Sequence, residues 1–312
     1  MRVLQGIARG LPRGLALRVF AGIAALVHRL DHAAVRRSLE HLRIAGFRPT
    51  DDPAREEIVR AMFRASGRNA VDLLRMSGFT PEELRALVRF DGLEHLREAL
   101  ARGRGVVALS AHFGNWEMLA AGLAANGIPV TIVARKIFDE RSNRVLNSWR
   151  RACGVRVVTR QKGLFPAVSA LRQGDMVGTL VDQDTGGPSI FADFFGRSAK
   201  TPRAPFLLAR RTGAAMIPMW IRLDEDGVHR ATIRPPLEPA RAATLEQGLR
   251  ADVERWHRIL EEAIREHPEQ WVWHHRRWKT RPPEESDSLR DLSKTSPYPA
   301  DFQRSREVVG AR

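Results

Sequence analysis

The run Val106-Val107-Ala108-Leu109-Ser110-Ala111-His112-Phe113-Gly114-Asn115-Trp116-Glu117 decides how the chain is read. Its first four residues are strand-like, a glycine breaks the run, and the stretch 115–126 that follows is helical. An imidazole at 112 and a carboxylate at 117 flank that glycine. On one ideal helix, five residues would set the two side chains about 140° apart. They converge only if His112 lies on the loop leaving the strand and Glu117 on the first turn of the helix. The pair then reads as a general base and its partner: the carboxylate keeps one imidazole nitrogen protonated, and the other is free to take a proton from a hydroxyl. The plainer reading is a His and a Glu on a surface turn.

The alternation begun there continues downstream. Strands are expected at 105–110, 129–134, 155–159, 176–181, 215–223 and 228–234, and helices at about 115–126, 139–152, 162–173, 201–212 and 243–266. That order is an α/β fold with a mostly parallel sheet flanked by helices. Sites in such sheets gather beyond the carboxyl ends of the strands, and His112, Arg135 and Asp182 follow the first, second and fourth. Upstream, residues 1–100 read as helical throughout. Ile58, Met62, Val71 and Leu74 recur at helical spacing, and Thr80-Pro81-Glu82-Glu83 starts a helix with proline in its first turn. No internal repeat is present. Residues 281–312 are polar and Pro/Ser-rich, and read as a disordered tail. The expected division is a membrane-associating helix over 1–30, one domain over 31–280, and the tail.

With 312 residues and 43% hydrophobic content, the chain can bury a substantial core. Its 51 Lys and Arg against 36 Asp and Glu leave a net charge of +15, which points to a polyanionic partner: nucleic acid, an anionic membrane surface, or an acidic or phosphorylated molecule. The single cysteine, Cys153, excludes a disulfide framework and a Cys-based metal cluster. Residues 3–30 are apolar but broken by Arg9, Arg13, Arg18 and Arg29, and split by Pro12. The longest charge-free stretch, 19–28, is about half of the roughly 20 residues that span a bilayer, and no signal-peptide cleavage site follows. A basic amphipathic helix in the membrane interface is expected, with Leu15, Val19, Phe20, Ile23 and Leu26 inserted and arginines at the headgroups. The alternative is a helix packed on the domain's own core.

Four further stretches carry chemistry. Val181-Asp182-Gln183-Asp184-Thr185-Gly186-Gly187 closes a strand with two acids and then glycines. It suits acceptor binding, arginine pairing, a Mg²⁺ site lacking a third ligand at a helpful spacing, or a solvated turn. Phe191-Ala192-Asp193-Phe194-Phe195-Gly196-Arg197 is an apolar ribbon that either walls an acyl pocket or packs in the core. Arg135, Lys136, Arg141, Arg144, Arg150 and Arg151 form a basic block, in which Arg135 and Arg150 suit phosphate capture and Arg141 and Arg144 a solvated face. Finally, 268–279 reads Pro-Glu-Gln-Trp-Val-Trp-His-His-Arg-Arg-Trp-Lys. Its tryptophans and cations suit base stacking, an interfacial aromatic belt, or a segment that docks to close the fold. The adjacent His274 and His275 diverge and do not chelate one metal easily.

Together these segments resemble the bacterial lipid A biosynthesis acyltransferases, the lauroyl/myristoyl group of the lysophospholipid acyltransferase superfamily, over roughly residues 10–280. The carriers are His112-Phe-Gly-Asn-Trp-Glu117 as the family's H-x4-D/E motif, Arg135 with its basic helix, Asp182-Gln-Asp-x-Gly186, Phe194-Phe195-Gly196, Ile217-Pro218, and the tryptophan-rich stretch 268–279. The resemblance implies a glycerolipid-acyltransferase-like fold and transfer of a fatty acyl chain from a thioester to a hydroxyl of a membrane-embedded acceptor. His112 would be the base, oriented by Glu117, with Gly114 and Asn115 shaping the loop. Arg135 and Arg150 (Arg151 as the fallback) would hold acceptor phosphates or donor charge, and Asp182, Gln183 and Asp184 would complete the acceptor pocket. No metal or bound cofactor is implied; the acyl thioester is a co-substrate.

The expected partners are an anionic membrane surface, a phosphorylated glycolipid, and acyl carrier protein or acyl-CoA. No nucleic acid is expected, because the cations are dispersed and no recognised binding motif is present. Two departures stand out. The N-terminal anchor is shorter and more arginine-interrupted than the family's, which favours peripheral or monotopic attachment at the cytoplasmic face of the inner membrane. The family's Arg-Pro is Arg135-Lys136 here, which bears on acceptor identity. The alternatives are another acceptor (a glycolipid, an ornithine lipid or a lysophospholipid) or, remotely, a metal-dependent hydrolase built on His112, Asp182 and Asp184.

Overall fold

A computed structural model of the chain describes residues 2–47, 52–134, 139–159 and 164–283. The N-terminal part comprises α1 (Arg2–Gly10), α2 (Arg13–Leu30), α3 (His32–Ile44), α4 (Asp52–Arg75), α5 (Pro81–Leu87), β1 (Val88–Asp91) and α6 (Leu93–Ala101). The alternating part runs β2 (Val106–Ser110), α7 (Trp116–Ala125), β3 (Val130–Ala134), α8 (Glu140–Ala152), β4 (Arg156–Thr159), α9 (Phe165–Arg172) and β5 (Met176–Leu180). It continues with β6 (Ser189–Phe194), β7 (Arg197–Pro202), α10 (Ala204–Thr212), β8 (Ala215–Leu223), β9 (His229–Ile233) and α11 (Leu245–Glu266).

Seven strands form one sheet in the order β1-β9-β8-β2-β5-β3-β4. Every neighbouring pair is parallel except β8 with β9. All five residues of β2 are buried, as a central strand covered by helices on both faces requires. The register sets Ser110 of β2 opposite Leu180 of β5. Two residues further along each chain stand His112 and Asp182, so the pairing that builds the sheet also brings them together.

The expected helical run over 1–100 is interrupted. α5 starts as its sequence requires, with Thr80 and Glu83 in a reciprocal capping box and Pro81 at the first position. It ends at Leu87, and Val88–Asp91 then pairs in parallel with β9. Four residues of alternating burial are too few to show a period beside the helices around them. Of the two readings of the ribbon at 191–197, core packing holds and the acyl-pocket wall does not. The ribbon forms the β6–β7 hairpin, whose two-residue turn, Phe195-Gly196, has positive φ at both positions (55° and 71°), as the right-handed twist of a hairpin favours. Phe194 and Phe195 are buried in the core.

Helix α2 packs along α4 through Ala16, Leu17 and Phe20, all buried. Gly67 of α4 permits the approach, since a Cβ there would collide with the Phe20 carbonyl and lie 2.7 Å from Ala24 Cβ. Arg13 grips the fully buried Asp72 with two hydrogen bonds of 2.8 and 2.6 Å, and His229 of β9 reaches the same carboxylate at 2.8 Å. Phe20 and Arg13 therefore face the protein, against the expectation that they meet lipid, because α4 supplies an apolar groove and a buried carboxylate. Leu15, Ile23, Leu26, Val27 and Leu30 form an exposed apolar row, and Arg18 and Arg29 are exposed beside it. Among the described residues, no helix is long and apolar enough to cross a membrane.

Candidate active site

His112 sits two residues past the end of β2, on the loop that the glycine permits. Gly114 holds φ at +57°, and a Cβ there would collide with the Ile221 carbonyl oxygen and lie 2.8 Å from its carbon. Its N–H donates to Gln270 O at 2.8 Å. Asn115 then caps α7, accepting from Met118 N at 3.2 Å, while its amide donates to Asn69 O at 2.9 Å.

The imidazole is held by Asp182. The backbone N–H of His112 donates to Oδ2 and its Nδ1 bonds to Oδ1, both at 2.8 Å, and Trp271 Nε1 donates to Oδ2 at 2.9 Å. Burial opposes the charge of Asp182, yet the charge and hydrogen bonds of His112 hold its carboxyl far below the usual carboxylate range. An ionised carboxylate only accepts, so Nδ1 of His112 carries a proton and Nε2 is the ring nitrogen turned away from Asp182. The spacing assigned this role to Glu117, and the structure corrects it. Glu117, buried in the first turn of α7, is bound by Arg150 of α8 through two hydrogen bonds, one of them Nε to Oε2 at 2.8 Å. Arg150 also donates to Asn147 Oδ1 at 2.9 Å. The pair neutralises itself, so Arg150 is not a free anion ligand. Arg151 is exposed, and Arg135 and Lys136 lie outside the described residues.

The C-terminal strap completes the arrangement. Phe113 and Trp271 form a β-bridge, and Val272 N donates to His112 O at 3.2 Å. His275 then meets His112 edge-on, with ring centroids 4.6 Å apart. The Gln183 amide nitrogen lies 3.2 Å from His112 Nε2 and 3.1 Å from both ring nitrogens of His275. Burial, then the neighbouring His112, push the His275 pKa down to about 4, so it is neutral at pH 7. Asp184 turns away and accepts from Thr280 N at 2.8 Å, tying down the strap's far end. Trp271 and His275 thus belong to the site although the sequence reading assigned neither to it. The signal was the density of Trp, His and Arg at 268–279, read there as one docking segment among other possibilities.

A cavity of about 410 Å³ opens at His112 and runs between the sheet and helices α7 and α8. His112, Glu117, Arg150 and Gln183 lie among its lining residues, and the rest is largely apolar, with Leu119, Leu123, Ile132, Leu146, Met176 and Met219. The β6–β7 ribbon does not line it. Ligand atoms of His112, Asp182 and His275 fall within 4.8 Å of one another. In this structure His112 Nδ1 and both Asp182 oxygens are engaged in hydrogen bonds within the protein. The alternative set with Asp184 is not assembled.

Residues 3–280 match the family model described as bacterial lipid A biosynthesis acyltransferase. Among curated proteins, the chain is 32% identical to lipid A biosynthesis acyltransferase 2 of Shigella flexneri, covering 86% of this chain and 85% of that one. It is 28% identical to the lipid A biosynthesis lauroyltransferase of Escherichia coli K12, over 90% and 86% of the two chains. A phosphatidylinositol mannoside acyltransferase of Mycolicibacterium smegmatis is 28% identical over 71% and 73%.

Proposed function

The chain belongs to the bacterial lipid A biosynthesis acyltransferases and is an acyltransferase, and from that premise we propose that it moves a fatty acyl chain from a thioester, on acyl carrier protein or coenzyme A, to a hydroxyl of a lipid A precursor. One observation carries the reading: a largely apolar cavity with an imidazole at its mouth, whose Nδ1 is fixed by a buried carboxylate. His112 Nε2 takes the proton of the acceptor hydroxyl while Asp182 holds the tautomer and offsets the positive charge that develops. The hydroxyl oxygen attacks the thioester carbon, the C–S bond breaks, and the departing thiolate receives the proton from His112. The apolar cavity receives the acyl chain. The Glu117–Arg150 pair braces its wall, Gly114 and Asn115 set the loop, and Asp184 fixes the strap. No step requires a metal or bound cofactor. Arg135, where the family's basic motif falls, remains the candidate for an acceptor phosphate.

The exposed row Leu15, Ile23, Leu26 and Leu30 with its flanking arginines supports attachment to an anionic membrane surface, peripheral or monotopic, at the cytoplasmic face of the inner membrane. A different acceptor is the second reading, favoured by the likeness to a phosphatidylinositol mannoside acyltransferase.

The test is a transfer assay on the full chain in detergent. It offers acyl-carrier-protein and CoA thioesters of several lengths, with a tetra-acylated Kdo–lipid A precursor, a lysophospholipid and an ornithine lipid as acceptors. A mass gain of one acyl chain on the lipid A precursor, lost in His112→Ala, is expected. Transfer only to another acceptor moves the substrate, and transfer undiminished in His112→Ala overturns the base.

A further inference from the structure

In the resting protein the base atom is capped. The Gln183 NH2 group lies 3.2 Å from His112 Nε2, and the same nitrogen stands 3.1 Å from both ring nitrogens of His275, which places it over the face of that ring, where its second N–H meets the π system. The two N–H bonds of one carboxamide therefore serve two imidazoles lying edge to face, at 87°. A hydroxyl that is to be deprotonated must come within hydrogen-bond distance of Nε2, into the space this amide occupies. Binding the acceptor frees one N–H from the base while the other stays on His275. The freed N–H then lies beside the reacting carbon, where negative charge grows on the thioester oxygen. Arg150, the one Lys or Arg among the described residues lining the same cavity, is already committed to Glu117 and Asn147.

We propose that Gln183 is a catalytic hydrogen-bond donor to the developing oxyanion, and that His275 is the positioning residue that keeps its carboxamide in reach. This rests on His112 acting as the base. Gln183 transfers no proton: the hydroxyl proton passes to His112 Nε2 and on to the leaving thiolate, and the amide only stabilises the tetrahedral oxygen between those events. Donors of this kind aimed at an oxyanion are worth about 10²–10³ in kcat, and they act on the transition state more than on the bound ground state.

The experiment is steady-state kinetics of the full chain with a donor and acceptor that the wild type turns over, comparing Gln183→Ala, Gln183→Asn, His275→Ala, His275→Gln and His112→Ala. Gln183→Ala should lower kcat by about 10²–10³, with KM for both substrates within about threefold. Gln183→Asn, whose amide is one methylene too short, should fall nearly as far. His275→Ala should lose kcat about tenfold or more, and His275→Gln, which restores an acceptor, should recover most of it. A Gln183→Ala enzyme within threefold of wild-type kcat, a loss confined to KM, or a His275→Ala defect that His275→Gln leaves untouched would each overturn the proposal. If His275→Ala does not fold, the Gln183 pair and His275→Gln still decide it. A fully active His112→Ala enzyme would instead remove the base, a separate outcome.

Discussion

The substitution Asp182→Asn separates the two carboxylates that could orient His112. Asp182 accepts three hydrogen bonds: His112 N and Trp271 Nε1 on one oxygen, and His112 Nδ1 on the other. Asparagine has one oxygen and one NH2 group. With its NH2 toward the backbone and indole donors, two buried N–H groups lose their acceptor at about 1–3 kcal/mol each. The opposite orientation therefore wins, and the NH2 faces His112 Nδ1. That nitrogen must then accept, the proton moves to Nε2, and the lone pair that takes the hydroxyl proton is gone. The same carboxylate-to-amide change behind the histidine of a serine protease lowers kcat by about 10⁴, equivalent to about 5 kcal/mol of barrier. Asp182→Asn should therefore lose about 10³–10⁴ in kcat while staying folded. The assay is single-turnover transfer at saturating donor, with circular dichroism and a melting curve as controls and Glu117→Gln measured beside it. If Asp182→Asn kept kcat within tenfold while Glu117→Gln lost 10³ or more, Glu117 would hold the tautomer and the geometric reasoning would be wrong.

Four further outcomes follow from other contacts. Glu117→Ala and Arg150→Ala each strand a buried charge, with side chains 6% and 12% exposed. Each should cost about 3–5 kcal/mol in urea unfolding, with the double variant recovering part of that loss; additive single losses would refute the pairing. Gly114→Ala should cost about 1–2 kcal/mol for the left-handed conformation and about 1–3 more for the collision with Ile221, so a melting temperature equal to wild type would show that the loop can move aside. His275 and His257 are held down to about 4 and about 3, chiefly by burial, against about 6.5 when unfolded. The unfolded chain then binds more protons below pH 6.5, so stability falls as pH drops, by about 1 kcal/mol per histidine between pH 7 and 5.5; denaturation midpoints that coincide at the two pH values would contradict this. Ile23→Glu with Leu26→Glu removes two exposed apolar side chains from α2 and should weaken flotation with anionic vesicles at least tenfold, whereas unchanged flotation would place the membrane contact elsewhere.

Much of the architecture could be read from the chain because its central strands are largely apolar runs set off by helical stretches. Those expected at 105–110, 176–181 and 215–223 match β2, β5 and β8 to within one residue. The strands that escaped lack that contrast. β1 follows a capped helix without a break, and the β6–β7 turn places Phe195, a residue that rarely takes positive φ, where an Asn or Gly would advertise a hairpin. In the site, the local spacing placed His112 on the loop and Glu117 on the first helical turn. It could not say which carboxylate meets the imidazole, because the answer lies in the register between β2 and β5, seventy residues apart in sequence. Phe20 shows the same limit in α2. Its position on the apolar side of that helix is legible, but the sequence does not say whether α4 or lipid covers it.

The strap at 268–279 shows how composition can point to a place and mislead about its use. Trp271 and Trp273 are completely buried and Trp278 is 6% exposed, so none offers a face for a base to stack on. Each buries an indole worth about 4–6 kcal/mol of gross transfer free energy. Arg277, equally buried, donates to Lys200 O at 2.6 Å and Thr201 Oγ1 at 2.7 Å and lies 5.1 Å from the Phe194 ring centroid, locking the strap to the β6–β7 hairpin. The same segment supplies the indole that helps hold Asp182, the amide that takes the His112 carbonyl, and the imidazole that shares Gln183. His112, just past the end of β2, therefore acquires its full set of partners only when the strap at 268–279 has packed, and the aromatic density there is the core energy that makes this docking secure.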